Sequence, residues 1–173
     1  MTERTVLIAT GNVGKVGLLS SLLEEANVGW AVIDPGDAED HAPLGYEAAV
    51  RAKLHAARKK AGDASATILA HDSGFEFEAL KGRPGPATKS WLQDGSRWAG
   101  IPVGSRVRAV HCVGILCVDG EFVMRDHDDR IVLAASVVPS QSDLPLTDAL
   151  IGPRAALARL VSRCLALSTG AVA

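Results

Sequence analysis

The sequence predicts an α/β fold, a mixed and twisted β-sheet with flanking helices, and three observations carry that prediction. The front half alternates short apolar runs with helical stretches, the pattern of strands laid side by side through helical crossovers. The back half, from Val107 onward, has consecutive strand-like runs joined by hairpin signals, which makes antiparallel neighbours. The 173 residues are 47% hydrophobic and only 4% aromatic, so a chain of this size can bury its own core, built mainly from Ala, Val, Leu and Ile. One domain is expected over residues 1–173, with two lobes and a cleft between them as the open variant.

The elements follow in order. Thr5 to Thr10 (TVLIAT) is a β-branched apolar run and predicts a buried strand. GNVGK breaks it, and Val16 to Ala26 places Leu18, Leu19, Leu22 and Leu23 at helical spacing. Val28 to Ile33 predicts a second strand, ended by the turn residues Asp34, Pro35, Gly36 and Asp37. Tyr46 to Ala61, rich in Ala, Arg and Lys and without Gly or Pro, predicts a long helix with Gly62 as its C-cap. Thr67 to Ala70 predicts a third buried strand that stops at a corner, His71-Asp72-Ser73-Gly74, and FEFEAL from Phe75 alternates as a half-exposed strand. Lys81 to Pro86 (KGRPGP) is expected as loop. Val107 to Val118 predicts a strand, Asp119-Gly120 its turn and Glu121 to Arg125 its return; Asp126 to Arg130 is expected as a solvated polar turn before another strand, Ile131 to Val138. Pro139 to Pro145 is expected as loop. Pro153 to Leu167 predicts a closing helix with Leu157, Leu160, Val161 and Leu165 on one face, and Ser168 to Ala173 a frayed tail.

Bulk properties narrow the partners. With 18 basic against 20 acidic side chains, the formal net charge is −2, and no global field favours a polynucleotide. Small anions need only a local cradle. Cys112, Cys117 and Cys164 are odd in number and lack metal-ligand spacing, so buried, inert thiols are expected. MTERTVLIATGN is interrupted too soon for a signal peptide and no apolar run suits a bilayer span, so a cytoplasmic protein without membrane partners is expected.

Three places carry candidate chemistry. In ATGNVGK, Ala9 to Lys15, two glycines and an Asn allow a tight turn at a strand end, followed by a helix N-terminus that favours anions. Lys15 adds a full charge; the rival reading is an ordinary strand–glycine–helix connection. In AHDSG, Ala70 to Gly74, Asp72 can hold a divalent cation and take a proton from water, or it can cap its own turn. Glu47, in the first turn of the long helix, is either a second oxygen ligand or a partner for the helix dipole. Arg51 and Lys53 further along reach phosphate or form a solvated face. Asp126-His127-Asp128-Asp129 is assigned no metal, and His111 and His127 no role.

These pieces occur together and in order, and the sequence resembles the inosine triphosphate pyrophosphatase family, whose members hydrolyse non-standard purine nucleoside triphosphates to monophosphate and pyrophosphate. ATGNVGKV is similar to the family's opening motif. Glu47 and Lys53 lie in a helix resembling its E-N-A-x-x-K-A segment, AHDSGFEFEALKGRPG resembles A-D-D-S-G-L-x-V-D-A-L-G-G-x-P-G, and RAVHCV at Arg108 to Val113 resembles R-x-x-F-x-C-V. The likeness spans Thr5 to roughly Val118. It implies an inosine triphosphate pyrophosphatase-like fold, a nucleotide substrate, Mg²⁺ with Mn²⁺ as the alternative, and a homodimer. It further implies that Thr10, Gly11, Asn12, Val13, Gly14 and Lys15 hold the triphosphate, with Lys15 and Asp72 catalytic. Glu47 and Asp72 would bind the metal, with Asp72 also the general base, and Ser73, Lys53 and Arg154 would contact substrate.

The departures are as specific. His71 stands where the family has a first acid, Ala48 where it has the helix Asn, and Ala52 where it has the helix Lys; Lys53 is one step on, turned by about 100°. Thr88-Lys89-Ser90 replaces S-A-R, the aromatic G-F-G-Y-D-P segment is missing, and S-H-R is reduced to Gly152-Pro153-Arg154. Trp91 and Trp98 are candidates for a substitute stacking platform or for core. His71 either widens the metal preference or points away and fills its strand end. Three functions stay in view: hydrolysis of non-standard purine triphosphates such as ITP and XTP, the same chemistry on another nucleotide, and a catalytically silent nucleotide-binding protein.

Overall fold

A computed structural model describes residues 5–36, 38, 45–132, 150–152 and 155–170. The expected strand after Val132, the 139–145 loop, Asp37, Pro153 and Arg154 lie outside the described residues, as do the tail residues 171–173. The strands are β1 (Thr5–Ala9), β2 (Gly29–Ile33), β3 (Thr67–Phe77), β4 (Arg83–Gly85), β5 (Arg106–Cys117), β6 (Gly120–Val132) and β7 (Leu150–Ile151). The helices are α1 (Val13–Glu25), α2 (Tyr46–Ala61), α3 (Thr88–Leu92) and α4 (Ala156–Leu167), with short 3₁₀ turns at Glu78–Leu80 and Gly95–Gly100. Among the described residues the strands form one sheet, ordered β2-β1-β3-β5-β6-β7, with β4 beside β3. β1 pairs parallel with both β2 and β3, and β3, β5, β6 and β7 continue antiparallel. The mixed sheet is the one the sequence predicts.

Period-two alternation decides what each face of the sheet holds. Val6, Ile8, Leu69, Val113 and Ile115 meet Leu19 and Leu23 of α1 and Leu157, Leu160, Val161 and Cys164 of α4. On the other face Ala9, Ile68, Ala70, Val110 and Cys112 meet Tyr46, Val50, Leu54 and Ala57 of α2. A third cluster, Phe77, Ile101, Val107 and Val132, takes in Trp91. Gly114 lets α2 sit close on β5, since a Cβ there would stand 2.6 Å from Val50 and 2.9 Å from Leu54. The three cysteines are buried and free, as expected, and burial pushes the thiols of Cys112 and Cys164 up to about 12. No described helix is long and apolar enough to cross a membrane.

Four local expectations are corrected. α1 starts at Val13 rather than Val16, because Asn12 caps it, its side chain accepting from the N–H groups of Gly14 and Lys15 at 2.9 and 3.2 Å. His71 to Gly74 form no corner: they lie inside the eleven-residue β3, paired with Val113 to Val110 of β5. Gly74 serves close approach, not a turn, since a Cβ on it would stand 2.1 Å from the Gly85 carbonyl oxygen. Arg83–Gly85, expected as loop, forms β4 against Phe75 to Phe77.

Asp126 to Arg130, expected as a solvated turn, continues β6 with alternating burial, and Asp128 and Arg130 face inward. What looks polar in sequence is buried because Asp128 has work there. Its carboxylate accepts from the backbone N–H of Ala155 at 3.2 Å and of Ala156 at 3.0 Å, capping α4 from a strand 27 residues away. An Asp128→Ala variant should therefore lose about 1–2 kcal/mol of stability, the worth of an N-cap. Urea unfolding reads this, and an unchanged midpoint would mean that α4 needs no cap from β6.

Candidate active site

β1 is shorter than β3. Their pairing ends at Ala9 opposite Ala70, so β3 runs on past the end of its neighbour, and the first residues beyond are His71 and Asp72. Alternation puts Asp72 on the α2 face with Ala70, and His71 and Ser73 on the opposite face. The gap left by β1 is filled by the turn Thr10 to Lys15. Thr10 is buried, and its Oγ1 accepts from the N–H of Asn12 at 3.1 Å. Val13 is 84% exposed at the mouth of the turn. The amides of Gly14 and Lys15 point at the Asn12 carboxamide, so an anion seated on this helix end competes with Asn12 for them.

Two lysines converge on Asp72. Lys15 Nζ lies 3.3 Å and Lys53 Nζ 3.4 Å from the same carboxylate oxygen, Oδ1. Lys53 also donates to the His71 carbonyl at 3.4 Å, and its side chain is 1% exposed, so α2 delivers a buried ammonium. The one-residue offset of Lys53 does not turn it away. It shares the buried stripe of α2 with Tyr46, Ala49, Val50 and Leu54. The other oxygen of Asp72, Oδ2, is buried without a hydrogen-bond partner among the described residues. A carboxylate anchored through one oxygen and bare at the other is poised to accept a proton or a cation.

Glu47 forms its ion pair along α2 rather than with Lys15 or Lys53. Its side chain is 60% exposed and pairs with Arg51 at 3.6 Å, and Arg51 in turn binds Glu121 of β6 at 2.9 Å. Mg²⁺ prefers several oxygen ligands, and two ammonium groups repel it from Oδ1. Asp72 Oδ2 suits a divalent cation, but the described residues gather no cluster of three or more His, Cys, Asp and Glu side chains around one. The two carboxylates implied by the resemblance lie on β3 and in the first turn of α2, and both act on the thiol of Cys112, the residue opposite Asp72.

His71 likewise stands apart from Asp72's oxygens. Its Nε2 lies 3.1 Å from His111 Nδ1 and the two rings stack with centroids 5.4 Å apart. Of the two roles open to it, the side chain takes the one that points away, although inside β3 rather than at a strand end. Burial holds His71 well below the ordinary histidine range, helped by Lys15. Burial also lowers His111 to about 4, with Asp128 pulling it up and Arg130 and Lys15 pushing it down. Both rings are then neutral at pH 7. A lowered histidine binds its proton in the unfolded chain first, so stability is full above about pH 6.5 and falls toward about pH 4. His111→Phe should flatten that slope by up to about 1.4 kcal/mol per pH unit, read from denaturant midpoints between pH 7 and 4.5. An unaltered slope would show that His111 titrates normally.

Tyr46, expected only as the start of a helix, is placed by the structure beside the site. Its hydroxyl is buried without a hydrogen-bond partner among the described residues, and would stand 2.8 Å from a Cβ on Gly74. Arg125 lies over its ring at 5.0 Å and binds Glu76 at 2.7 Å. Burial, then Glu76, pushes the phenol up, so it stays a donor. The signal available was its place at i, i+3, i+4, i+7 with Ala49, Val50 and Lys53. Trp91 packs on Phe77 with centroids 5.7 Å apart and belongs to the core rather than to a stacking platform; the side chain of Trp98 lies outside the described residues. Thr88, in place of the family's Ser, accepts from the Phe75 N–H at 2.8 Å and donates to the Gly85 carbonyl, fixing β4 to β3.

Comparison with known proteins bears on this geometry. The model of the Ham1 family matches residues 6–118. A dITP/XTP pyrophosphatase of Ruegeria pomeroyi is 35% identical over 98 residues, a match that spans 53% of this chain and 45% of that relative's length. Among solved structures, a nucleoside-triphosphatase, also described as a dITP/XTP pyrophosphatase, from Mycobacterium abscessus superposes with a TM-score of 0.56 at 18% identity over 98% of both chains. A HAM1 protein from Coxiella burnetii gives 0.57 at 14% identity over 78% of this chain and 75% of its own. At such identities the two structures show the shared fold.

Proposed function

The chain belongs to the Ham1 family, and from that premise we propose that it hydrolyses a nucleoside triphosphate of the non-standard purine class, such as ITP or XTP, to the monophosphate and pyrophosphate. The observation that carries this reading is the divided carboxylate of Asp72, tethered through Oδ1 by Lys15 and Lys53 and bare at Oδ2. The triphosphate lies along the Thr10–Lys15 turn, where the N-terminus of α1 and the Lys15 ammonium offset its charge. Oδ2 takes a proton from the attacking water as its oxygen bonds to the α-phosphorus, and the bond to the leaving pyrophosphate breaks. Lys15 steadies the charge that grows on the leaving group, while Lys53, buried behind, holds the Asp72 carboxylate in place. Ser73, on the other face of β3, and Arg154, outside the described residues, are further candidates for substrate contact.

The missing G-F-G-Y-D-P segment and the reduced S-H-R signature favour a second reading, a protein that binds the nucleotide without turning it over. A panel of standard and non-standard nucleoside triphosphates with Mg²⁺, reading pyrophosphate and orthophosphate separately, decides between them. Pyrophosphate release fastest with ITP or XTP supports the first. Binding without any release supports the second, and release of orthophosphate alone defeats both.

A further inference from the structure

β3 has a free edge between two partners. β1 ends against Ala70 and β4 begins against Phe75, while the register with β5 runs unbroken from Ile68 to Phe77. Phe75 donates its N–H to Thr88 Oγ1, and the Phe77 carbonyl accepts from the Gly82 N–H, so both residues turn their main-chain groups away from β5. Alternation gives Ser73 the same orientation, and its N–H and C=O face the gap beside the Thr10–Lys15 turn. Ser73 and His111 are then a non-hydrogen-bonded pair, the kind whose side chains stand closer. Both are half-buried, on the face of the sheet that Val113 shares with α4.

The pair of rings fixes where His111 carries its proton. Two ring nitrogens 3.1 Å apart bond only if one donates and the other is a bare lone pair, so His71 Nε2 and His111 Nδ1 share one proton. The remaining nitrogen of His71, Nδ1, is buried without a partner among the described residues. If Nδ1 held a proton, an N–H would be orphaned in the interior, which folded proteins avoid more strictly than an orphaned acceptor. His71 is therefore the donor, through Nε2. His111 accepts at Nδ1 and keeps its own proton on Nε2, directed away from His71 and without a partner among the described residues.

Lys15 joins this ring to the phosphate site. Its ammonium, 3.3 Å from Asp72, also lies close enough to both rings to disfavour their protonation. Asp72 faces α2 and His111 faces α4, so their side-chain tips stand on the order of 10 Å apart across the sheet. A nucleoside spans about that distance from its 5′-phosphorus to the far edge of its base. We propose that His111, oriented by His71, donates its Nε2–H to the 6-oxo group of a purine, with the Ser73 main chain beside it, and so sets a preference for an oxo over an amino base. Adenine presents an NH₂ donor at that place, which a second donor cannot satisfy. The proposal rests on the nucleotide-binding role of the site proposed above, and its test reads binding instead of turnover.

Non-hydrolysable triphosphate analogues of inosine and adenosine are titrated by calorimetry into wild type and into His111→Asn, whose shorter amide can still accept from His71. Wild type should bind the inosine analogue about tenfold more tightly than the adenosine one, and His111→Asn should bring the two within about twofold. Inorganic tripolyphosphate should bind both proteins alike. Long-range nitrogen–proton NMR spectra of wild type, which need no variant, should show His111 as the Nε2–H tautomer. The Nδ1–H tautomer would overturn the proposal, as would an inosine preference that persists in a folded His111→Asn. Equal affinity of wild type for the two analogues would also defeat it, while leaving the triphosphate site in place. A wild type that bound neither analogue nor tripolyphosphate would end both this proposal and the nucleotide-binding reading beneath it.

Discussion

An Asp72→Asn variant is expected to lose about 10²–10⁴ of the pyrophosphate-releasing activity, the usual worth of a general base. The amide preserves the shape of the carboxylate while taking away the proton acceptor at Oδ2. It also removes the counterion of two ammonium groups, one of them, on Lys53, almost wholly buried. Breaking a buried pair from one side costs up to about 3–5 kcal/mol, so the single variant should melt earlier than wild type. Lost stability and lost chemistry must therefore be separated. Asp72→Asn combined with Lys53→Met removes both buried charges together, and should recover much of the melting temperature without recovering turnover. Activity above a tenth of wild type in folded Asp72→Asn would take Asp72 out of the mechanism. A double variant no more stable than the single one would show that the pair is not what the fold depends on.

The sequence made the sheet legible wherever a local pattern had one structural answer. The β1 run buries both faces, α1 and α2 each bury one, and all three appear where expected, with α1 starting three residues early. The Thr10–Lys15 turn and Asp72 were legible for the same reason, as chemistry-bearing residues at the end of an apolar run. The failures share a different cause. His71-Asp72-Ser73-Gly74 and Asp126 to Arg130 both look like turns, because polar and glycine-rich segments usually face water. Here each lies in a strand whose polar side chains have distant partners: Lys15 and Lys53 for Asp72, the α4 amides for Asp128, His111 for His71. No window of neighbouring residues contains those partners. The same limit hid the reach of Lys53, since its one-residue offset along the helix does not show that the fold still brings it to Asp72.

Lys15 and Lys53 touch the same oxygen of Asp72, yet replacing them should have opposite consequences. Lys15 reaches Asp72 from the first turn of α1 with a side chain 13% exposed, at the edge of the turn where the polyphosphate is proposed to lie. Lys15→Ala should weaken binding of a non-hydrolysable inosine triphosphate analogue about tenfold to a hundredfold, matching the 1.5–3 kcal/mol of a charged hydrogen bond. Inosine itself has no phosphate to miss that charge, and its affinity should change by less than about twofold. Stability should hardly move, because Asp72 keeps Lys53. Lys53→Met should do the reverse, filling the buried stripe of α2 with an apolar chain of similar length while leaving Asp72 with Lys15 alone. Its signature is an altered melting temperature with triphosphate affinity within a few-fold of wild type. Calorimetric titration of both variants with analogue and nucleoside makes the comparison. Equal loss of nucleoside and triphosphate affinity in Lys15→Ala would reduce Lys15 to a structural partner of Asp72, and would move the phosphate site away from the Thr10–Lys15 turn.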